Sequence, residues 1–483
     1  MVSSNCQTTK VSFPDYLGEP AELPGRQERP RPARIRDFAH AEWLAVAAVC
    51  LGAATSQVDN GVITVAYPRL VSVLGRPLSE VVWIGLVPFV TLVATLLLFG
   101  RRADSLGRKK VYVNGFVVFI TGALMSTAFA KTFPLLLLGR GIGALGIAMI
   151  QANSVALITA SVRDHQRTTA LGIQAAAQAI GLAVGPFLGS VITPHLPVRF
   201  IFLISTPLAS LAFLASVLFL PRTRHVTAKA PFNVLGALLL ALSSAGVLGG
   251  LTLAAKVGWS PNALGMILLG GVSTMALIGV ERHVAQPIFT PRVFRRTDVR
   301  VSIALLTLSY VAFFGLLVAV PFFVVSDFGA SARRAAEATM AIPVGLAIVA
   351  PFSGRLRRRW GTRMLTSLAG VVLCVAVLGA AVAPNGKVVA ALLVLVGFAI
   401  GIVNTTTNAV VMSAVELKDR GLASGTVNLA RAAGSALGMA LATSVVVILQ
   451  NADAISLRPV IAILAVAAGG VVGVAFRKIP RDQ

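Results

Sequence analysis

The chain runs to 483 residues, 56% of them hydrophobic and 12% charged, with 44 glycines and a mean hydropathy of +0.84. Soluble domains carry about 25% charged residues, so these values exclude an ordinary soluble fold and point to an all-α polytopic membrane protein. The net charge of +24 does not imply nucleic acid, because the basic residues fall in short clusters between apolar runs rather than on one soluble face.

Residues 1–42, rich in Pro and charge (LPGRQERPRPARIRD), lack apolar periodicity and are expected to form a disordered cytoplasmic tail. The late first apolar run and the many that follow argue against a signal peptide. A spanning helix needs about 20 mostly apolar residues. Six candidates lie near 43–67, 80–100, 111–130, 134–160, 169–191 and 199–219, within a first half predicted over 43–219. Two more, near 233–253 and 262–280, fall in an insertion over 220–300. A second half over 301–476 holds six, near 301–325, 337–353, 364–383, 388–414, 422–448 and 455–476, before a tail at 477–483. The prediction is therefore fourteen spans, with both termini on one side. Loops on the side of the termini hold 31 Lys and Arg, the opposite loops hold 9, and Arg140 and Arg431 fall within spans. By the positive-inside rule both termini are cytoplasmic.

In the first span, QVDNGVITVAYP (57–68) would pass for a hairpin in a soluble protein. Stopping the helix at Ser56 would leave it too short to cross, so the span is expected to continue to Tyr67, with Asp59 inside. Asp59 is the one acid placed within a span. In the fourth span, Arg140 is expected either to snorkel outward or to line a cavity; Arg431 in the thirteenth leaves the same choice. Gln151, Asn153 and Ser154 in the fourth span, and Asn404 to Asn408 in the twelfth, suit either interhelical hydrogen bonds or a polar cavity wall. In the fifth span, Gln174, Gln178, Gly181, Gly185 and Gly189 recur at helical spacing and form one face. Glycines so spaced allow close helix approach, and Pro186 removes a backbone hydrogen bond there. Gly141, Gly143 and Gly146 mimic a dinucleotide fingerprint, but the sequence leaves no room for a strand–helix–strand unit. Cysteines and histidines lack metal or disulfide spacing, so neither a metal nor a cofactor is expected. A lone intramembrane carboxyl supplies no catalytic set, so an enzyme is not expected.

The loops GRRADSLGRKK, from Gly100, and GRLRRRWGTRM, from Gly354, share a Gly-Arg start, a Gly seven residues on and a basic residue two further. That echo fits a transporter built from two repeats. The first loop resembles the loop signature of the major facilitator superfamily, carried by Gly100, Asp104, Gly107, Arg108 and Lys109. AIGLAVGPFLGS resembles that superfamily's antiporter motif, carried by Gly181, Gly185, Pro186, Gly189 and Ser190. VDNGVITVAYP is similar to the first span of drug:proton antiporters, with Asp59, Ala66 and Pro68 matching. Arg140 with Gly143 and Ala144 resembles a further motif in part. RFIFLISTP and RGLASGTVNLARAAGSALG resemble segments of the fourteen-span branch, although Ser205 stands where that branch has Asn. Gly61 and Thr64 also depart from it, and they are expected either to loosen the helix past the carboxyl or to alter what it binds.

The resemblance implies a major facilitator fold of two six-helix halves plus two additional central spans. It implies a multidrug-efflux-type antiporter, driven by the proton gradient, that exports amphipathic small molecules from a bacterial cell across its membrane. Asp59 and Arg140 would couple protons to substrate. Gln151, Asn153, Gln174, Gln178, Asn404, Asn408 and Arg431 are the cavity candidates. Asp104 would be a cytoplasmic latch capping a neighbouring helix, and the glycine face of the fifth span would let the two bundles rock. The partners expected are a small amphipathic substrate, protons and the lipid bilayer, with the protein a monomer. An importer, or an exporter of a lipid, siderophore or metabolite, on the same fold is the alternative.

Overall fold

The computed structural model describes residues 41–163, 166–192, 196–221, 234–257, 259–284, 296–413, 420–451 and 458–478. The predicted N-terminal tail thus lies almost wholly outside the described residues. The first half contributes α1 (Ala41–Leu74), α2 (Trp83–Leu106), α3 (Arg108–Ala128), α4 (Phe133–Ser161), α5 (Arg167–Ile192) and α6 (Thr206–Phe219). A single turn, Leu78–Val81, leads into α2, and a 3-10 segment, Val198–Leu203, leads into α6. An additional pair follows, α7 (Val234–Val257) and α8 (Pro261–His283). The second half holds α9 (Thr297–Phe328), α10 (Ala332–Trp360), α11 (Thr362–Ala381), α12 (Gly386–Ser413), α13 (Arg420–Asn451) and α14 (Arg458–Lys478).

Eleven of these fourteen long helices are apolar enough over their length to cross a membrane. The other three, α7, α10 and α14, carry shorter apolar stretches at Leu238–Leu251, Glu337–Val349 and Arg458–Val471. Among the described residues, length and composition thus mark eleven of the fourteen expected spans as candidates. The shortfall in α10 has a clear cause, since its first turn holds Arg333 and Arg334 and its last turns hold Arg355, Arg357, Arg358 and Arg359.

The halves make the same set of helix pairings. In the first, α1 packs on α4, α5 and α6, while α2 and α6 pack on α4 and α3 respectively, and α3 lies along α4. Advancing every number by eight gives pairings that the second half also makes. The repeat suggested by the two basic loops therefore extends to the packing. Both loop glycines have positive φ, Gly107 at 95° and Gly361 at 73°, and each ends one helix and begins the next. An L side chain is strained there, so glycine is required at both turns. The halves meet along two seams that exchange under the same operation, α5 with α10 and α2 with α13.

The pair α7–α8 stands outside this symmetry. Its helices touch at Gly246 and Gly270, where added Cβ atoms would fall 2.8 and 2.7 Å from the opposite backbone. α7 rests on both α2 and α13, and Ser444 of α13 donates to the Leu251 carbonyl at 3.2 Å. α8 is peripheral. Leu268, Val272 and Met275 on it are 67%, 61% and 74% exposed, an apolar face suited to lipid.

Candidate functional site: a buried ion pair in the first half

α1 continues without a break through Asp59, Asn60, Gly61 and Pro68, so QVDNGVITVAYP is helix and not hairpin. Gly61 does not loosen it. A Cβ at Gly61 would lie 2.7 Å from Pro186 Cδ and 3.1 Å from Gly185 Cα, so the glycine lets α1 lie directly against α5. Gly181 and Gly185 complete this seam, because Cβ atoms there would fall 2.6 Å from the Ala54 carbonyl and 2.7 Å from that of Val58. Gly181 and Gly185 of the antiporter motif thus face α1 of their own half, whereas a face that lets the two bundles rock was expected. α5 runs on as helix across Pro186.

Asp59 is 3% exposed and Arg140, on α4, is 6% exposed. They form a two-pronged pair: Arg140 Nη2 donates to Asp59 Oδ2 at 2.9 Å and Nη1 to Oδ1 at 3.2 Å. Arg140 therefore does not snorkel. Its Nε donates to the Ile84 carbonyl at 3.1 Å. That carbonyl is available because Pro88, four residues on within α2, has no N–H to return to it. The ring of Phe202 lies 5.9 Å from the guanidinium carbon. Ser205 completes the carboxylate's shell, donating to Asp59 Oδ1 at 3.2 Å. Ser205 sits at the start of α6 just before Pro207, and its hydroxyl caps nothing, which leaves it free to turn to Asp59. Ser205 and Ile84 were not predicted as partners. The usable signals were the Ser-for-Asn departure at 205 and the proline at 88. A small cavity borders the pair, lined by Asp59, Pro88, Phe119, Gly122 and Arg140, with room for about one water.

The cavity candidates divide. Gln151 Nε2 reaches Ser56 Oγ on α1 at 3.4 Å. Asn153 is buried and donates to the Met149 carbonyl of its own helix at 2.8 Å. Gln174 is buried and Gln178 half-buried on α5, and neither meets Asp59. In the second half, Arg431 Nη2 donates to Asn404 Oδ1 at 2.9 Å, and Asn408 Nδ2 donates to the same oxygen at 3.2 Å. Two polar clusters result, one in each half.

At the basic loop, Lys109 Nζ donates to the Val217 and Leu220 carbonyls, at 2.8 and 2.6 Å, at the end of α6. Those are carbonyls that a helix terminus leaves without an intrahelical donor. The side chain of Asp104, the expected latch, lies outside the described residues, so the cap observed here is the lysine. Lys109→Met should lower the thermal midpoint of the purified protein by the equivalent of about 1 kcal/mol. Lys109→Arg should restore most of it.

Gly141, Gly143 and Gly146 lie within α4, where Gly143 and Gly146 pack against Gly122 and Gly115 of α3. The dinucleotide-like spacing is a helix-packing seam. Residues 49–439 match the Major Facilitator Superfamily. The chain belongs to that superfamily. Among its relatives, the multidrug resistance protein Stp of Mycobacterium tuberculosis is 26% identical over 84% of this chain and 76% of that protein. The cephamycin export protein CmcT of Amycolatopsis lactamdurans is 31% identical over 80% and 81%. The Escherichia coli xylose transporter XylE, in a partially occluded inward-open conformation, matches 92% of this chain and 99% of its own with a TM-score of 0.64 at 12% identity. The two halves and their paired seams are thus the Major Facilitator Superfamily fold, and the chain is a membrane transporter rather than an enzyme.

Proposed function

We propose that this transporter is a fourteen-span, proton-coupled antiporter that exports amphipathic small molecules across a bacterial cell membrane. On this reading it works as a monomer with both termini cytoplasmic. The observation that carries it is the Asp59–Arg140–Ser205 cluster, an ionisable carboxyl held inside a transmembrane bundle by one cation and one hydroxyl. The export-named relatives, the resemblance around Asp59 and the 31-to-9 division of basic residues support the remainder.

A proton taken up by Asp59 neutralises the carboxylate and removes its charge-assisted bonds to Arg140. Arg140 keeps the Ile84 carbonyl and the Phe202 ring, so it stays in place while the tie from α1 to α4 is cut. α1 also carries the glycine seam with α5, and α5 borders the opposite half. Protonation at Asp59 therefore acts on a helix one contact away from the seam between halves. Releasing the proton on the other side restores the pair.

Everted membrane vesicles with an acidic interior should accumulate a fluorescent dye, and a protonophore should discharge it. Accumulation confined to right-side-out vesicles would sink the export direction. Accumulation indifferent to the protonophore would sink the coupling.

A further inference from the structure

The two halves treat their buried arginines differently. Arg140 is neutralised by Asp59, whereas Arg431 meets only neutral groups. Its Nη2 and Nη1 donate to Asn404 Oδ1 and Asn428 Oδ1 at 2.9 and 3.2 Å. Its Nε is buried with no hydrogen-bond partner. Among the described residues no carboxylate pairs with it. Of a guanidinium's five N–H donors, three are left over, the Nε–H and one on each Nη. A carboxylate takes two parallel N–H groups from one edge of a guanidinium, so the unused donors suffice for one such partner. An unpaired charge inside a span is costly, and amide oxygens supply no countercharge.

The placement of Arg431 is as informative as its partners. It lies eleven residues into α13, about 16 Å along the helix from its start. Its guanidinium carbon is 6.0 Å from the centre of the Tyr310 ring on α9. Tyr310 stacks on Phe314 at 6.2 Å, and Phe314 meets Phe89 of the first half edge-on at 5.0 Å. The cation therefore flanks an aromatic bridge between the halves, and its side chain is partly exposed. An anionic head beside an aromatic surface is the complement of an acidic amphipath.

We propose that Arg431 is an anion-recognition point, and that the transported molecule is an amphipath bearing a carboxylate, its apolar body against the partly exposed Tyr310. The proposal rests on the transport reading above but requires neither proton coupling nor a direction. Asn404 and Asn428 orient the guanidinium without consuming its charge, and Asn408 holds Asn404 in turn.

The probes are rhodamine B, which has a free carboxylate, and its ethyl ester, which lacks it. Binding is measured by fluorescence polarisation to the full-length protein in phosphatidylcholine nanodiscs without a gradient. The acid should bind at least about tenfold more tightly than the ester, the ratio that one charge-assisted contact supports. Arg431→Gln should bring that ratio below about threefold, and Arg431→Lys, a point charge without the fork, should fall between. Asn404→Asp keeps the arginine but supplies an internal carboxylate, and should remove the preference as fully as Arg431→Gln. A wild-type ratio near one, failure to bind either dye, or a preference that survives both variants overturns the proposal. Phosphatidylglycerol nanodiscs that abolish binding of the acid alone would make the occupant a lipid headgroup and overturn it too. The everted-vesicle assay fails separately. Acid preference without gradient-driven accumulation rejects antiport and keeps the site, and accumulation without acid preference does the reverse.

Discussion

Asp59→Asn is expected to abolish gradient-driven dye accumulation in everted vesicles and to lower the thermal midpoint of the purified protein. The two effects have different origins and can be separated. Removing one partner of a buried ion pair leaves the other charge uncompensated, at a cost of about 3–5 kcal/mol. Arg140, 6% exposed and held by the Ile84 carbonyl, cannot follow water to escape that cost. Adding Arg140→Gln removes the stranded charge, so the double variant should recover much of the lost midpoint. It should recover none of the accumulation, because no proton-carrying group returns. Recovery of both would mean that the pair is a structural staple and that coupling lies elsewhere. Ser205→Ala, which removes one neutral hydrogen bond to Oδ1, should cost about 1 kcal/mol in stability.

Gly185→Val should be nearly as damaging, through geometry rather than charge. A Cβ at Gly185 would lie 2.7 Å from the Val58 carbonyl and 2.8 Å from Gly61 Cα, and both neighbours are backbone that cannot rotate away. α1 and α5 must then separate, one residue-turn from Asp59. The penalty should fall at the upper end of the roughly 1–3 kcal/mol that overpacking usually costs. Gly172→Ala on the same helix is the control. Nothing lies within 4 Å of a Cβ there, so exchanging glycine for the better helix former should leave the midpoint unchanged or raise it. Comparing thermal midpoints of the two variants decides the matter. Equal behaviour would mean that the α1–α5 contact is looser than the structure shows.

How far the chain's sequence foretells this arrangement depends on the range of the interaction. Helices across a membrane must satisfy their backbone internally, so long apolar runs announce them, and α1 through QVDNGVITVAYP is the sharpest instance. Gly107 and Gly361 were equally visible, since a turn that needs positive φ leaves a glycine behind. In α10 the mark is fainter, because its basic ends flank an apolar stretch of only Glu337–Val349. Partners distant in the chain leave no local mark. Ser205 reaches Asp59 across 146 positions, and Arg431 reaches Asn404 across 27. Asp59 and Arg140 stood out because charges are rare in spans, yet the Ile84 carbonyl that steadies Arg140 follows from a proline whose consequence appears only once helices are packed. Gly61 follows the same rule. Its purpose lies in the helix opposite.

The helix α7 rests on α2 and α13 together, and the seam of α5 and α10, its symmetry counterpart, has no such helix of the additional pair packed on it among the described residues. An amphipathic solute dissolved in the bilayer can approach the midline of a two-part carrier sideways, from either flank. Here the flanks are not equivalent. On one, a lateral path between the halves meets α7 and, through Ser444 and Leu251, a hydrogen bond that fastens it to α13. On the other, neither α7 nor α8 packs on α5 or α10 among the described residues. Drawing the halves apart on the covered flank also obliges α7 to peel from one of its two supports. The pair α7–α8 thus gives a two-fold arrangement one bridged seam, that of α2 with α13, and so makes the two flanks of the carrier inequivalent.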